Sequence, residues 1–246
     1  CQHVGIHFMS SPFDLDSLDF LVSRFDLPQL KLGSGELTNA PLLLAVAQTG
    51  KPLILSTGMS TLAEIEAALS VLAFGYVGCS EVPGVNAFSR AFASKEAQKL
   101  LREKVSILHC TTEYPAPVEE VNLRAMDTMK DRFGLKTGYS DHTAGWIMPV
   151  AAVARGAQII EKHFTLDRAL PGPDHSASLE PNELKEMVAA IRQVEMGMGD
   201  GKKKHTDSEL GNMKVARKSL VALMPISEGE RCSERNLTVK RHDGAA

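Results

Sequence analysis

Short apolar runs recur along this chain, and each gives way to a polar or glycine-rich cluster. The runs are Gly5–Ser10, Gln29–Leu32, Pro52–Ser56, Val105–Cys110, Leu135–Tyr139 and Ala157–Lys162. The clusters that follow them read SSPF, GSGE, TGMS, TTEYP, SDHT and HFTL. Runs of this length bounded by turn residues predict β-strands. Between them lie segments with apolar residues at helical spacing. In Thr61–Leu72 these are Leu62, Ile65, Leu69 and Leu72, with Ser60 and Thr61 placed to cap the N-terminus. Glu180–Met196 predicts a long amphipathic helix with Pro181 in its first turn.

Strands alternating with helices imply a parallel sheet. Six βα units can be counted, whereas a closed (β/α)8 barrel needs eight. The expected fold class is therefore α/β, a (β/α)8 TIM barrel lacking its first two βα units. The chain starts at Cys1, close to the first run, and stops at HDGAA, so a fragment truncated at both ends is expected. Two segments interrupt the repeat. Phe74–Lys104 has a loop-like front half and a rear half, AFASKEAQKLLREK, that predicts an exposed helix of mixed charge. Gly197–Met213 is polar and lysine-rich, which predicts a linker. Beyond it, KSLVALMPISEGERCSERNLTVKR has the texture of short strands and turns. The expected boundaries are a partial barrel over 1–198, a linker over 199–215 and the start of a second small domain over 216–246.

Composition changes this picture little. The 246 residues are 43% hydrophobic and 23% charged, as in an ordinary globular protein. A net charge of −3 gives no reason to expect nucleic acid or an anionic membrane as partner. No apolar run approaches the ~18 residues of a spanning helix. The four cysteines, Cys1, Cys79, Cys110 and Cys232, form no CxxC pair. That fits reduced thiols in a cytoplasmic protein better than a disulfide framework.

The chemistry concentrates at the predicted strand ends, where ligands bind in repeating βα proteins. His142 and His163 end two neighbouring strand runs, with Asp141 and Glu161 nearby. Two imidazoles so placed could hold one divalent metal; equally, each could be a hydrogen-bonded strand-end histidine. Imidazole suits Zn, Fe, Ni or Cu, while oxygen ligands and water suit Mn or Mg. A second group suggests an anion pocket: Lys31 supplies charge, Ser34, Ser56, Thr57 and Ser140 supply hydroxyls, and the glycines of KLGSGE and STG let backbone N–H groups approach. The GK[ST] ending of a P-loop is absent. Thr112 and Tyr114 lie on a loop stiffened by Pro115 and Pro117, readable as a site loop or as a turn with a packed aromatic. Cys110, inside an apolar run with no evident base, reads as a buried thiol. Asp174 lies in a rigid PGPDH loop, and Lys202–Lys204 reads as a solvated linker segment.

KLGSGE, LILSTGM, LHCTTEYPAP, GYSDHT, EKHFTLD and PGPDHSASLEP occur here in that order. Together they closely resemble the sialic acid synthase family, which comprises N-acetylneuraminate synthase and its legionaminate and pseudaminate relatives. The resemblance runs along nearly the whole chain. It implies a TIM barrel followed by a small SAF (antifreeze-like) β-clip domain, and a homodimer in which the SAF domain of one subunit caps the barrel of the other. It also implies transferase chemistry in carbohydrate biosynthesis: condensation of phosphoenolpyruvate with an N-acylated hexosamine such as N-acetylmannosamine. The product would be a nine-carbon 2-keto sugar acid and phosphate. An acceptor of the legionaminate or pseudaminate type, or a non-catalytic carbohydrate-binding remnant, are the alternatives. By the same resemblance His142 and His163 would bind Mn2+, with Mg2+ or Co2+ as substitutes, and would act in catalysis with Lys31. Ser11, Lys31, Ser34, Ser56 and Ser140 would hold phosphoenolpyruvate. Glu36, Tyr114 and Asp174 would face the sugar, and Arg241 would reach a partner's site. Thr112 stands where many N-acetylneuraminate synthases have Asn, and the family's first two strands, with a glutamate and a lysine near the substrates, have no counterpart here.

Overall fold

Five of the six predicted runs pair into one parallel sheet in the computed structural model, which describes residues 1–241. They are β1 (Leu30–Leu32), β2 (Leu53–Ser56), β3 (Val105–His109), β4 (Lys136–Asp141) and β5 (Ile160–Lys162), hydrogen-bonded in sequence order. Helices return the chain between them: α1 (Leu15–Arg24) before β1, then α2 (Ala40–Gln48), and α3 (Leu62–Tyr76), α4 (Val85–Ala93) and α5 (Lys95–Lys104) before β3. After β3 come α6 (Ala125–Phe133), α7 (Ile147–Ala154) and α8 (Pro181–Met198).

The sheet is curled. Strands spaced ~4.8 Å apart would put β1 and β5 about 19 Å apart if the sheet were flat. Yet the Lys31 Nζ on β1 lies 3.4 Å from the Glu161 Oε2 on β5. Only a half-barrel brings those two side chains together over a concave face. Alternation along the strands then separates two environments. Leu30, Leu32, Leu53, Leu55, Val105 and Ile107 point to the convex side and form the core with Leu42, Val46, Ile65, Leu69, Leu72 and Phe74 of α2 and α3. Lys31, Ser56, Ser140 and Glu161 point to the concave side, so the polar strand positions are what the interior of the half-barrel receives.

Local chemistry fixes the helix starts. Thr61 and Glu64 form a reciprocal capping box on α3, with the Thr61 amide 2.7 Å from Glu64 Oε2. Asp14 caps α1 by accepting from the Ser17 amide, and Asn39 caps α2 by accepting from the Leu42 amide. Gly134 ends α6 in the left-handed region at φ 63°.

Three expectations are corrected. Gly5–Ser10 is not a strand; it makes no ladder with β1, and Ile6 and Phe8 stay exposed. An apolar run supplies strand propensity, but a strand also needs a partner edge, and here side chains rather than a ladder join the segments, Gln29 Nε2 to Met9 Sδ and the Phe8 ring against Phe25. The front half of the 74–104 connection is partly helical, and α5 is not simply exposed, because Ala97 and Leu101 are buried against the core. Finally, the 199–215 stretch holds a helix, α9 (Asp207–Ala216), started by a Thr206–Glu209 capping box.

The chain divides into two compact units at Met198/Gly199. The second carries α9 and an antiparallel pair, β6 (Lys218–Ala222) and β7 (Leu237–Arg241), in register from Lys218 opposite Arg241 to Ala222 opposite Leu237. Among the described residues no helix is long and apolar enough to cross a membrane.

Candidate active site

Four strand ends meet in one hydrogen-bonded chain. Lys31 is buried, and its ammonium donates to Ser56 Oγ at 2.9 Å and to the Leu32 carbonyl at 2.9 Å, with Glu161 Oε2 at 3.4 Å. The other oxygen of Glu161 accepts from Ser140 Oγ at 2.7 Å. A buried cation is costly unless its donors are satisfied, and these three acceptors satisfy them. The path Ser56–Lys31–Glu161–Ser140 thus ties β2, β1, β5 and β4 across the concave face.

Beside it is a small hydroxyl-lined cradle. The Gly58 amide donates to Ser34 Oγ at 2.9 Å, and Ser34 Oγ lies 3.2 Å from Cys110 Sγ. A Cβ at position 58 would stand 2.2 Å from Thr112 Oγ1 and 2.9 Å from both Cys110 Sγ and Ser34 Oγ. Only glycine leaves this space open. Thr112 Oγ1 is buried and has no hydrogen-bond partner. Leaving a hydroxyl so costs about 1–3 kcal/mol, a cost that a ligand oxygen would relieve.

The two imidazoles lie on the same rim. His142 Nδ1 is 2.6 Å from the Thr111 carbonyl, which can only accept, so Nδ1 carries the proton and Nε2 the lone pair. Burial pushes the His142 pKa below the ordinary imidazole value, which keeps that lone pair free near neutral pH. The His142 and His163 ring centroids are 5.4 Å apart, with planes at 75°. Tyr114 packs 4.2 Å from His142 and 5.3 Å from His163. Burial, then the neighbouring Cys110, Asp174 and Glu161, raise the Tyr114 pKa, so its hydroxyl remains a donor. Asp174 Oδ2 lies 3.7 Å from His163 Nδ1.

This donor set fits a shared divalent cation held by two imidazoles with other positions open to oxygen ligands. Among the described residues no three or more His, Cys, Asp or Glu side chains converge as a closed metal cage. An open site of that kind is suited to polarising a substrate oxygen.

The structure therefore brings together Lys31, Ser34, Ser56, Ser140, His142, His163, Tyr114 and Asp174. Two other predicted residues make no hydrogen bond to this group among the described residues. Ser11 sits half-buried in the segment before α1 and, among the described residues, makes no hydrogen bond to this group. Glu36 instead accepts from the Asn39 side chain at 2.7 Å. Arg241 is exposed at the end of β7, in the second unit. Sequence reasoning noted Glu161 and Thr112 but gave neither a role in the site; strand-end position was the signal for both. Cys110 is buried, as expected.

A curled parallel α/β sheet with polar groups converging on its strand C-terminal ends is the class of scaffold that binds small ligands at that rim. Within that class, the chain belongs to the NeuB family, whose model matches residues 1–203. It is 50% identical over 237 residues to an N,N'-diacetyllegionaminic acid synthase of Campylobacter jejuni, a match covering 96% of this chain and 64% of the relative. A protein of the same name from Legionella pneumophila is 42% identical over 238 residues, covering 97% and 61%. Among solved structures, an N-acetylneuraminic acid synthetase from Leptospira borgpetersenii, crystallised with citrate, superposes with a TM-score of 0.70 at 33% identity, covering 87% of this chain and 65% of that one. The chain thus spans less than two thirds of the length of these curated relatives.

Proposed function

We propose that this chain supplies the catalytic rim of a synthase that condenses phosphoenolpyruvate with an N-acylated hexosamine, giving a nine-carbon 2-keto sugar acid and phosphate. The observation that carries the reading is the pair of imidazoles 5.4 Å apart on the same rim as the Lys31 and Ser34 pockets. The synthase names of the relatives support the same chemistry. The buried Thr112 hydroxyl, without a protein hydrogen-bond partner, is in this reading a donor for a ligand oxygen.

In this reading the Lys31 charge and the Ser56, Ser34 and Thr112 hydroxyls hold the phosphate in an arrangement fixed before substrate arrives. Ser140 and Glu161 tie the Lys31 ammonium to the imidazole side of the rim, so the two substrates are held in one geometry rather than by diffusion. Tyr114 and Asp174 line the sugar side. His142 and His163 would hold Mn2+, or Mg2+ or Co2+ in its place, which supplies Lewis-acid polarisation of the aldehyde oxygen. The β6–β7 pair is, in the same reading, the beginning of an SAF-type domain following a linker that contains α9. Arg241 would serve the neighbouring rim of a homodimer. The setting would be cytoplasmic sugar-acid biosynthesis.

The test is phosphate release by the full-length protein, not by this stretch alone, on incubation with phosphoenolpyruvate, Mn2+ and the acceptor hexosamines of the neuraminate, legionaminate and pseudaminate branches in turn. Release dependent on one acceptor is the expected outcome and would identify the sugar. Absence of release with all three would overturn the reading.

A further inference from the structure

The two strands that carry the imidazoles are also tied together on the face turned away from the site. Ser140 and Glu161 point to the concave rim, so by alternation Tyr139, Asp141 and Lys162 point toward the helices. There the Lys162 ammonium lies 2.7 Å from Asp141 Oδ2 and also donates to the Thr143 carbonyl. The two side chains are 2% and 0% exposed. The other carboxylate oxygen of Asp141 accepts from the Tyr139 hydroxyl at 2.9 Å, the Thr143 amide at 3.0 Å and the Thr143 hydroxyl at 2.9 Å.

A buried ion pair is a poor way to stabilise a fold, because desolvation offsets most of its attraction and apolar residues of similar volume often serve better. What this pair supplies is position. It fixes the backbone at 141–143, which contains His142, against residue 162, which precedes His163. The β4–β5 ladder ends at this same step, with Asp141 opposite Lys162. Beyond it the chain leaves the sheet, and both imidazoles hang from the first residue past the last rung.

We propose that the Asp141–Lys162 pair is a positioning device that sets the separation and mutual orientation of the His142 and His163 rings. Its functional meaning rests on the synthase reading above, whereas the geometric effect does not. The variant that removes the pair whole is Asp141→Leu combined with Lys162→Met. It takes out both charges at similar bulk but leaves the Tyr139 hydroxyl and the Thr143 amide and hydroxyl without their acceptor, so it is expected to fold with a lowered melting temperature.

Two readouts follow. In the metal-free protein, nuclear Overhauser contacts between the two imidazoles are expected in the wild type and lost in the double variant. With Co2+ alone as probe, affinity is expected to fall by ~10–100-fold, the usual consequence of disturbing what orients metal-ligating histidines, with a shifted visible absorption band. Lys162→Arg, which keeps the charge, is expected to restore both readouts. A folded double variant with wild-type ring contacts and wild-type Co2+ affinity would overturn the proposal. Should the wild type bind no Co2+, the metal reading falls while the ring contacts still decide the positioning role. Should the double variant not fold, Asp141→Asn keeps an acceptor oxygen for Tyr139 and Thr143 while abolishing the ion pair with Lys162. Ring contacts and Co2+ affinity unchanged there would equally overturn the proposal.

Discussion

Gly138→Ala is a severe test of how closely β4 and β5 approach. A Cβ at this position would stand 2.4 Å from the Ile159 carbonyl oxygen, 2.6 Å from Leu108 Cδ2 and 2.9 Å from Ile159 Cβ. Ordinary contact begins at 3.4 Å, so the Ile159 carbonyl must retreat by about 1 Å. Leu108 can answer by changing rotamer, but Ile159 presents backbone. That carbonyl accepts from the Tyr139 amide at 2.9 Å, and a retreat of about 1 Å takes the bond beyond hydrogen-bonding range. Overpacking of this kind costs about 1–3 kcal/mol, and the lost hydrogen bond adds about 0.5–1.5 kcal/mol. The expected destabilisation is therefore about 2–4 kcal/mol, or a fall in Tm of roughly 5–15 °C for a domain of this size. Urea denaturation followed by circular dichroism measures it. Gly33→Ala is the comparator: no atom lies within 4 Å of its Cβ, and φ is −71°. It is expected to change stability by at most ~1 kcal/mol. If Gly138→Ala shifts the midpoint no more than Gly33→Ala does, the close approach of the strands is not a constraint on this fold and the reasoning fails.

Three further outcomes are expected. Thr61→Ala removes one half of the α3 capping box and should lower stability by about 0.5–2 kcal/mol in the same urea assay. Burial holds the His109 pKa below its ordinary value, while Nε2 donates to the Val121 carbonyl at 2.7 Å. Between that depressed pKa and about 6.5 the unfolded chain carries more protons than the folded one. The contribution of His109 to stability is thus complete above about pH 6.5 and is lost as pH falls through that window. His142 shifts in the same direction, so His109→Gln should flatten the pH dependence of the urea midpoint only in part; an unchanged slope would refute the assignment. Lys31→Met removes the charged donor of the phosphate pocket, and phosphoenolpyruvate binding measured by calorimetry should weaken by ~10–100-fold, equivalent to about 1.5–3 kcal/mol. Wild-type affinity in that variant would exclude Lys31 from the pocket.

Much of this rim was legible because strand ends announce themselves. His142, His163, Ser56 and Ser140 each follow or end an apolar run, Lys31 stands one residue before the end of its own, and the βα alternation said that such positions converge. The curl of the sheet was not legible in the same way: no local pattern reports that Lys31 on the first strand touches Glu161 on the fifth, since that contact depends on accumulated twist and coiling across the whole sheet. Gly5–Ser10 misled because apolar content was read as pairing. The α9 helix was missed because its residues present no buried face, although the Thr206-to-Glu209 spacing is a capping-box signal that was there to be read. The Asp141–Lys162 pair escaped notice for a different reason. Its members flank the histidines in sequence yet point to the opposite side of the sheet, so proximity along the chain suggested the wrong neighbours.

A parallel sheet sends each returning helix back to where the next strand begins. The excursion through α4 and α5 packs on α3, and its first turn follows the C-terminal end of α3, at the far end of the sheet from the rim. Its turn at residues 80–83 is exposed, with Val82 88% accessible. An affinity tag or a fluorophore grafted there would report on the protein while leaving substrate access untouched.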